Sequence, residues 1–428
     1  MAQTTAFENA SAAFRAHLPD LNTPRFTTAA KQDLYEYAQF FKDNHAPPWL
    51  FDLTQAWEKL YQESFKGVTT DGTVKEGLFA RRDEGLDIES ITQKAEKLLS
   101  LLDEQQKQKL MYPINAREWR AWSNPEMVLR PFGLRLEEVS EETAQSILSL
   151  LSTTLSPSGY QKALAAMRIN HFLGECVHLP AIMNKYSYNF LLFGTPSTTS
   201  PWGFLLYGHH LCIAVYLHSK QIVISPTFTG AEPNVIDSGE WEGTAILHRE
   251  GELGLQFMRS LSQPQRDTAQ VFKNLKDEGM KITGDLVTDT WNKDDQRHQL
   301  GAFRDNRVVP PSGLPLSSLT LTAEQRATLL ALIDEMLAYL PEKSRKLRVA
   351  EIEAHFGDTW WTWIGGYADD DAFYFRVQSD VVVLEFDHHS GVFLTNVEPG
   401  KWHTHTIVRT PNGGDYGGAI RGVEERLV

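Results

Sequence analysis

The first 190 residues carry apolar side chains at a spacing of three and four positions, which is the period of one face of a helix. Four segments show this pattern, and short stretches rich in Pro, Gly and Ser separate several of them. The four segments are 31–44, 74–111, 140–155 and 159–177. The sequence therefore predicts a mainly helical region over residues 1–190.

From about residue 190 the apolar pattern changes to the two-residue period of β-strands. The segment FLLYGHHLCIAVYLHSKQIVISPTFTG is typical of two strands joined around Ser219–Lys220. A second strand-rich block follows over 360–410, and helices are predicted between the two blocks over 243–279 and 327–340. Parallel pairs need long crossovers, so the short spacing within each block predicts antiparallel pairing.

The expected fold class is α+β, in which an N-terminal helical region packs on a mostly antiparallel β assembly with interspersed helices. Residues 1–190 would form the helical region, and residues 191–428 the strand-rich domain that carries the candidate metal site. A length of 428 residues is compatible with about two or three domains or with one large one. Whether the two regions form one compact unit is left open.

Composition and charge narrow the class of protein. Hydrophobic residues make up 42% of the chain and charged residues 22%, as in globular proteins and unlike disordered ones. The formal net charge of −14 disfavours nucleic acid and anionic membranes, which bind clustered positive charge. We therefore expect a small-molecule substrate, neutral or cationic rather than polymeric, and no nucleic-acid or membrane partner.

Three further features predict a cytoplasmic location. Cys176 and Cys212 are the only cysteines, too few for a disulfide framework, which fits a reducing compartment. The start of the sequence shows neither the basic nor the apolar region of a secretory signal. No apolar run approaches the roughly 18 residues of a membrane span. The oligomeric state is not predicted.

Histidines in the strand-rich region carry the clearest chemical signal. Imidazole is a common ligand of transition metals because its neutral nitrogen offers a directional lone pair near neutral pH. Residues i and i+2 of a strand point to the same side, so His403 and His405 of the segment WHTHT can offer two nitrogens to one ion. The same spacing also occurs as two surface imidazoles that bind nothing.

His209 and His210 are adjacent, so in a regular strand their side chains point to opposite faces. His210 shares its face with small, mildly polar residues such as Cys212, whereas the face of His209 is apolar. We therefore expect His210 to be a ligand and His209 a packed neighbour. A bulge at Gly208 would re-aim one of them and allow both to bind the metal.

A second adjacent pair, His388 and His389, comes directly before Ser390–Gly391. Such residues at the tip of a hairpin are usually solvated, so the sequence predicts that these two histidines are turn residues outside the site. His218, beside the predicted turn at Ser219–Lys220, receives the same interpretation.

Carboxylates could supply the remaining ligands. Glu250 lies at the head of a predicted helix, where it either complements the helix dipole or joins the site. Glu385 and Asp387 share one strand face, and Arg376 of the neighbouring strand would face Glu385 in a polar ladder, as a solvated face or as a pocket wall. The candidate metal ligands are His209, His210, Glu250, His403 and His405, and the candidate catalytic residues are Glu250, Arg376 and Asp387.

Segments from about residue 115 to 425 resemble, in order, the domain-of-unknown-function family numbered 3500, found in bacteria and fungi. The segments that carry the resemblance are WGFLLYGHHLCIAVYL, VISPTFTGAEP, GTAILHREGELGLQFMRSLSQPQR, DAFYFRVQSDVVVLEFD and HTHTIVRTPNGGDYG. Upstream, REWRAWSNPEMVLRPFGLRLEE is similar to fungal members. The positions that match the family pattern are Gly208, His209, His210, 230–233, Glu250, Asp387, His403 and His405. The resemblance implies that the GHH and HxH pairs belong to one site, and it implies no activity.

Three histidines and a carboxylate could hold a divalent Zn, Fe, Mn or Cu ion. With Zn, an open coordination position would lower the pKa of a bound water, which favours a hydrolase acting on a small organic molecule. With Fe or Cu the same ligands favour a mononuclear non-haem oxidoreductase. A third alternative is a metal-free small-molecule-binding protein whose histidines hydrogen-bond a carboxylate. No dinucleotide, P-loop, serine-hydrolase or H-E-x-x-H motif indicates another chemistry.

Overall fold

The protein is described by a computed structural model over residues 12–280, 302–318, 321–422 and 427. These residues contain helices and one large sheet, so the predicted α+β class is confirmed. The helices are α1 (Pro24–Ala29), α2 (Leu34–Asn44), α3 (Pro48–Gln62), α4 (Ile88–Ser100), α5 (Glu104–Leu110), α6 (Glu141–Thr154), α7 (Pro157–Cys176), α8 (His248–Ser260), α9 (Gln263–Ala269), α10 (Ala323–Met336) and α11 (Glu342–Ala354). Short 3₁₀ helices cover Ala12–His17, Arg117–Arg120, Leu316–Ser318, Phe356–Asp358 and Asp415–Ile420.

The sheet contains all twelve strands found among the described residues. They are β1 (Met111–Tyr112), β2 (Leu134–Arg135), β3 (Tyr188–Phe193), β4 (Trp202–Gly208), β5 (Leu211–His218), β6 (Gln221–Ala231), β7 (Gln270–Phe272), β8 (Leu314–Pro315), β9 (Trp360–Gly365), β10 (Phe373–Gln378), β11 (Val383–His389) and β12 (Gly400–Arg409). The order is β1-β3-β4-β5-β6-β12-β11-β10-β9-β7, with β2 on β3 and β8 on β9.

Pairing is antiparallel except for β1 with β3 and β7 with β9. The two predicted strand blocks join where β6 pairs with β12, since Gly230 lies opposite His405 in that register. Residues far apart in sequence therefore meet in the middle of one sheet. The domain boundary near residue 190 stays a prediction.

One face of the sheet packs against helices from both halves of the chain. Alternate strand residues such as Leu206, Phe375 and Phe386 join a large apolar cluster with the buried sides of α4, α6, α7, α8 and α10. The close approach of α8 requires Gly254, because a β-carbon there would lie 2.2 Å from Cε1 of Phe375. Burial of these apolar side chains is the main stabilising contribution on this side.

The opposite face, over β3–β6 and β12, packs against α2 and α3, against the 3₁₀ helix that carries Trp119 and against Trp122 just after it. Phe228 of β6 and Ile407 of β12 belong to this second apolar cluster. His405 lies two residues from Ile407, so it points to the same face. In the described part of the chain, no helix combines the length and the apolar character needed to cross a bilayer.

Candidate metal centre

The pleat of two neighbouring strands brings His403, His405 and Asp387 to one face of the sheet. His403 and His405 are two residues apart in β12, and Asp387 of β11 lies directly opposite His405. All three side chains are buried. The interpretation of the HxH segment as two imidazoles on one strand face therefore agrees with the structure, and the alternative of a solvated surface pair does not.

His209 and His210 reach the same region from a hairpin end. Gly208 pairs with Leu211 across β4 and β5, so the two histidines form the two-residue turn between these strands. His210 has a φ of +60°, a left-handed conformation that histidine adopts more readily than most residues. The expectation of a regular strand, or of a bulge at Gly208, is wrong here, because a turn is not bound by the alternation of strand faces.

The turn holds His210 against β6 and β12. Its amide donates to Oδ1 of Asn124 at 3.0 Å, and its carbonyl accepts from the amide of Gly230 at 2.7 Å. The imidazole of His210 then points at His405, with the two Nε2 atoms 3.3 Å apart. His210 thus completes a buried group of three imidazoles with His403 and His405.

The hydrogen bonds of the ring nitrogens fix which atoms face one another. Nδ1 of His403 donates to the carbonyl oxygen of Ser390 at 2.7 Å, because a carbonyl can only accept. Nδ1 of His405 lies 3.4 Å from Oδ1 of Asp387. In a neutral His403 ring Nε2 therefore carries the lone pair, and it lies 3.0 Å from Nε2 of His405. Histidines that bind metals commonly direct their other nitrogen to a carbonyl or carboxylate in this way.

A second group of candidate ligands shares His405 and adds Asp387 and His389. The ligand atoms of this group lie within 4.8 Å of one another. Nδ1 of His389 donates to the same Ser390 carbonyl at 3.0 Å, and its ring centroid is 4.7 Å from that of His403. The prediction that His389 is a solvated turn residue is wrong, because β11 continues through it and buries it.

His388 points to the other side of the sheet, as alternation requires. Its Nδ1 accepts a hydrogen bond from the amide of Phe373 at 3.1 Å, and its ring contacts those of Phe373 and Phe386. Burial holds the pKa of His388 well below its usual value, so the ring is neutral. It was expected in a solvated turn and is a core residue instead.

Glu232 was not predicted from the residues as part of the site. Its carboxylate, fully buried, accepts hydrogen bonds from the amides of Val392, Phe393 and Leu394 at 2.8, 3.1 and 3.0 Å. Burial raises the pKa of Glu232 to about 7 against the opposing effect of these amides. Its Oε1 lies 3.7 Å from Nδ1 of His403, so it adds a carboxylate beside the histidines.

His209 lies beside the group and belongs to neither set of candidate ligands found in the described residues. Its Nδ1 makes a 2.9 Å hydrogen bond with Oδ1 of Asn170, and its ring stacks on that of His210. Burial lowers the pKa of His209 to about 3, so the ring is neutral. These contacts agree with the expectation that His209 is a packed neighbour of the site rather than a ligand.

Glu250, expected as a ligand and a catalytic group, lies elsewhere. It forms a buried ion pair with Lys162 of α7, near Tyr339. The physical reason is that α8 packs on the Phe375 face of the sheet, whereas His405 points to the opposite face. Glu250 is therefore removed from the ligand set.

Arg376 lies on the histidine face but two strands from β12. It faces Glu385 across β10 and β11, as the predicted ladder requires, and donates to Ser312 at 3.1 Å and to the carbonyl of Pro310 at 3.3 Å. Tyr374 donates a hydrogen bond to Glu385 in the same row. Of the three catalytic candidates, the structure brings only Asp387 to the histidines.

The chain belongs to the family described as Protein of unknown function (DUF3500), whose family model matches residues 84–418. The family predicted from the sequence segments is thereby confirmed, and the similarity to fungal members stays a prediction. Neither the curated proteins nor the solved structures include a match to the chain. Buried His and Asp groups that could hold a metal ion are therefore the main guide to function.

Proposed function

We propose that this DUF3500 member is a metal-dependent enzyme that hydrolyses a small organic molecule through a metal-bound water. The observation that carries the proposal is the convergence of three buried Nε2 atoms, from His210, His403 and His405. Nothing in the proposal depends on Glu250 or Arg376.

A cation between the rings would account for the spacing of the Nε2 atoms. Nε2 of His403 carries a lone pair when that ring is neutral, because its Nδ1 donates to Ser390. Metal–nitrogen bonds of about 2.0–2.1 Å with tetrahedral angles place two ligand nitrogens roughly 3.3 Å apart. The Nε2 separations of 3.0 and 3.3 Å are close to that value.

Three histidine ligands leave a fourth coordination position open, as in catalytic zinc sites. A metal ion there would supply a water of lowered pKa as the nucleophile. We assign Asp387 the role of orienting His405, because its carboxylate lies 3.4 Å from Nδ1 of that ring, on the side away from the Nε2 atom that would bind the ion. Ser390 orients His403 and His389 through its carbonyl.

Burial of the histidines favours a small substrate, since a polymer cannot reach side chains in the interior without a large opening. The acidic chain, with a net charge of −14, disfavours nucleic acid and anionic membranes as partners. Cys176 and Cys212 are both unlinked, which supports a reducing compartment such as the cytoplasm.

A second candidate function is oxidation by a mononuclear non-haem iron or copper ion. The observation that favours it is His389, a fourth imidazole whose ring centroid lies 4.7 Å from that of His405. Imidazole-rich ligand sets also suit iron and copper. The choice between hydrolysis and oxidation therefore depends on which metal the protein selects.

Elemental analysis of the purified full-length protein tests both candidates. We expect about one transition-metal ion per chain, retained on dialysis and lost in His405→Ala. His355→Ala is the matched control, because His355 pairs with Asp358 at the surface. Zinc-loaded protein would then be assayed against ester, amide and lactone panels, and iron- or copper-loaded protein for oxygen uptake.

The outcomes separate the alternatives. Hydrolysis that depends on zinc and on His405 supports the first function, and oxygen uptake with iron or copper supports the second. A fully stable protein that binds no transition metal would contradict both and would leave the metal-free small-molecule-binding protein.

A further inference from the structure

A cavity next to the candidate metal centre lies between α1, α2, the start of α3 and the segment 391–395. Its volume is about 930 Å³, within the range of cavities that bind small organic ligands. Most of its wall is apolar or aromatic, with Phe26, Phe40, Trp49 and Phe393 among the lining residues.

One wall of this cavity is shared with the candidate metal centre. The amides of Val392, Phe393 and Leu394 hold Glu232, and Ser390 just before them orients His403. The ring of Phe393 also contacts that of His209, at 6.0 Å between centroids. A ligand in the cavity therefore lies against the segment that positions the histidines.

The opposite wall comes from residues 19–50, which precede the part of the chain that matches the family model, residues 84–418. The segment 391–395, together with Glu126 and Met127, lies within the matched part. The cavity thus combines a wall shared with the family and a wall that the N-terminal helices of this chain supply.

Three charged side chains line the cavity: Asp20, Arg25 and Glu126. The two carboxylates are already engaged, since Asp20 accepts from the amide of Asn22 at 2.9 Å and Glu126 accepts from the hydroxyl of Tyr37 at 2.6 Å. Arg25 donates no hydrogen bond to any described residue, and its guanidinium lies 5.2 Å from the ring centroids of both Phe26 and Phe393. A guanidinium placed on aromatic faces keeps its N–H groups available for a carboxylate.

We propose that this cavity binds an apolar or aromatic organic carboxylate, with Arg25 pairing its charged group and the surrounding aromatic side chains holding its body. The statement that this ligand is the substrate rests on the proposed function. The proposal that it binds in the cavity does not depend on that function. The expected ligand is anionic, in contrast to the neutral or cationic substrate that net charge alone favours.

Two fluorescent dyes that differ in one charged group test the proposal on the full-length protein. 1-Anilinonaphthalene-8-sulfonate is an aromatic anion, and N-phenyl-1-naphthylamine is the same body without the sulfonate. We expect one molecule of either dye per chain. Arg25→Gln should weaken binding of the anionic dye about tenfold or more and leave the neutral dye within about twofold, whereas Arg25→Lys should retain most of the difference between them.

Arg326→Gln is the matched control, because Arg326 is an exposed arginine that pairs with Glu353 and does not line the cavity. Trp49→Ala should weaken both dyes, since it removes aromatic wall without changing charge. Equal affinity of wild type and Arg25→Gln for the anionic dye would overturn the proposal. Failure of both dyes to bind at one molecule per chain would also overturn it. A dimer, seen by light scattering, that excludes both dyes would do the same.

Metal content measured on the same samples separates this proposal from the proposed function. If the protein contains no metal but binds the anionic dye through Arg25, the proposed enzyme function is contradicted and the proposed ligand site is supported. If the protein contains metal but binds neither dye, the proposed ligand site is contradicted and the metal centre is supported.

Discussion

Gly230 and His405 lie directly opposite each other across β6 and β12, and a β-carbon on Gly230 would lie 2.6 Å from Cδ2 of His405. The same β-carbon would lie 2.7 Å from Cδ2 of His210. Only a residue without a side chain leaves room for two imidazoles to turn toward one point. Gly230 therefore positions two candidate ligands while contributing none itself.

Gly230→Ala should displace both rings and lower metal affinity about 10- to 100-fold, the range found when groups that orient metal ligands are altered. Overpacking should also cost about 1–3 kcal/mol of unfolding free energy. Competition with a chromophoric chelator measures the affinity, and urea unfolding the stability. Gly357→Ala is the control, since a β-carbon there meets nothing within 4 Å. Unchanged metal affinity in Gly230→Ala would argue against convergence of these rings on an ion.

His209 and His210 should respond in opposite ways to truncation. His210→Ala should lose the metal and remain folded, because its ring faces His405. His209→Ala should keep the metal and cost about 1–3 kcal/mol, because it leaves a cavity and removes the partner of Asn170. Metal content and thermal midpoint of both variants are the measurement. Loss of metal from His209→Ala at an unchanged midpoint would reverse the two roles.

The HxH pair could be predicted from sequence because strand alternation is a local rule. His403 and His405 need only the alternation of β12 to point the same way, and both rings do lie on one side although the pairing of β12 with β11 shifts register beside His403. Asp387 and His389 are also two residues apart in β11, so the sequence contained a second pair of candidate ligands on one strand face. The following Ser390–Gly391 indicated a solvated turn instead. A local segment does not show that distant residues bury the end of a hairpin.

Other parts of the site depend on tertiary contacts that a sequence pattern does not contain. The three amides that hold Glu232 come from Val392, Phe393 and Leu394, about 160 positions away. Glu250 was expected as a ligand at the head of a predicted helix, whereas the packing of α8 decides which sheet face it reaches.

Helix boundaries depend on local capping that periodicity does not show. The segment 74–111 carries a continuous helical period, and the structure has two helices in it, α4 and α5. The side chains of Asp87 and Asp103 accept from the amides of Ser90 and Gln106, so each aspartate begins a new helix. The periodic pattern continued across these caps because both helices bury one side, and the pattern alone did not separate them.

Glu250→Gln should leave metal content unchanged and lower stability. Removing the negative charge takes away the direct ion-pair partner of buried Lys162 and leaves only the nearby Glu335 as an opposite charge, at a cost of up to about 3–5 kcal/mol. Glu252→Gln on the same helix is the control, because its 3.8 Å pair with Arg249 is largely solvated and should contribute less than about 1 kcal/mol. Urea unfolding and elemental analysis of both variants give the comparison. Loss of metal from Glu250→Gln in a folded protein would return Glu250 to the ligand set.

His388 and His389 are neighbours in β11 with side chains on opposite sheet faces, so they separate a structural role from a metal-binding one. His389→Ala should lower metal affinity and shift the preference between zinc and iron or copper, because its ring lies beside those of His403 and His405. His388→Ala should leave metal affinity unchanged and cost about 1–3 kcal/mol, because its neutral ring fills space against Phe373 and Phe386. Chelator competition with each metal, together with urea unfolding, measures both effects. Equal metal affinity in His389→Ala and wild type would restrict the site to the three rings of His210, His403 and His405. Weaker metal binding in a folded His388→Ala would contradict the separation of the two sheet faces.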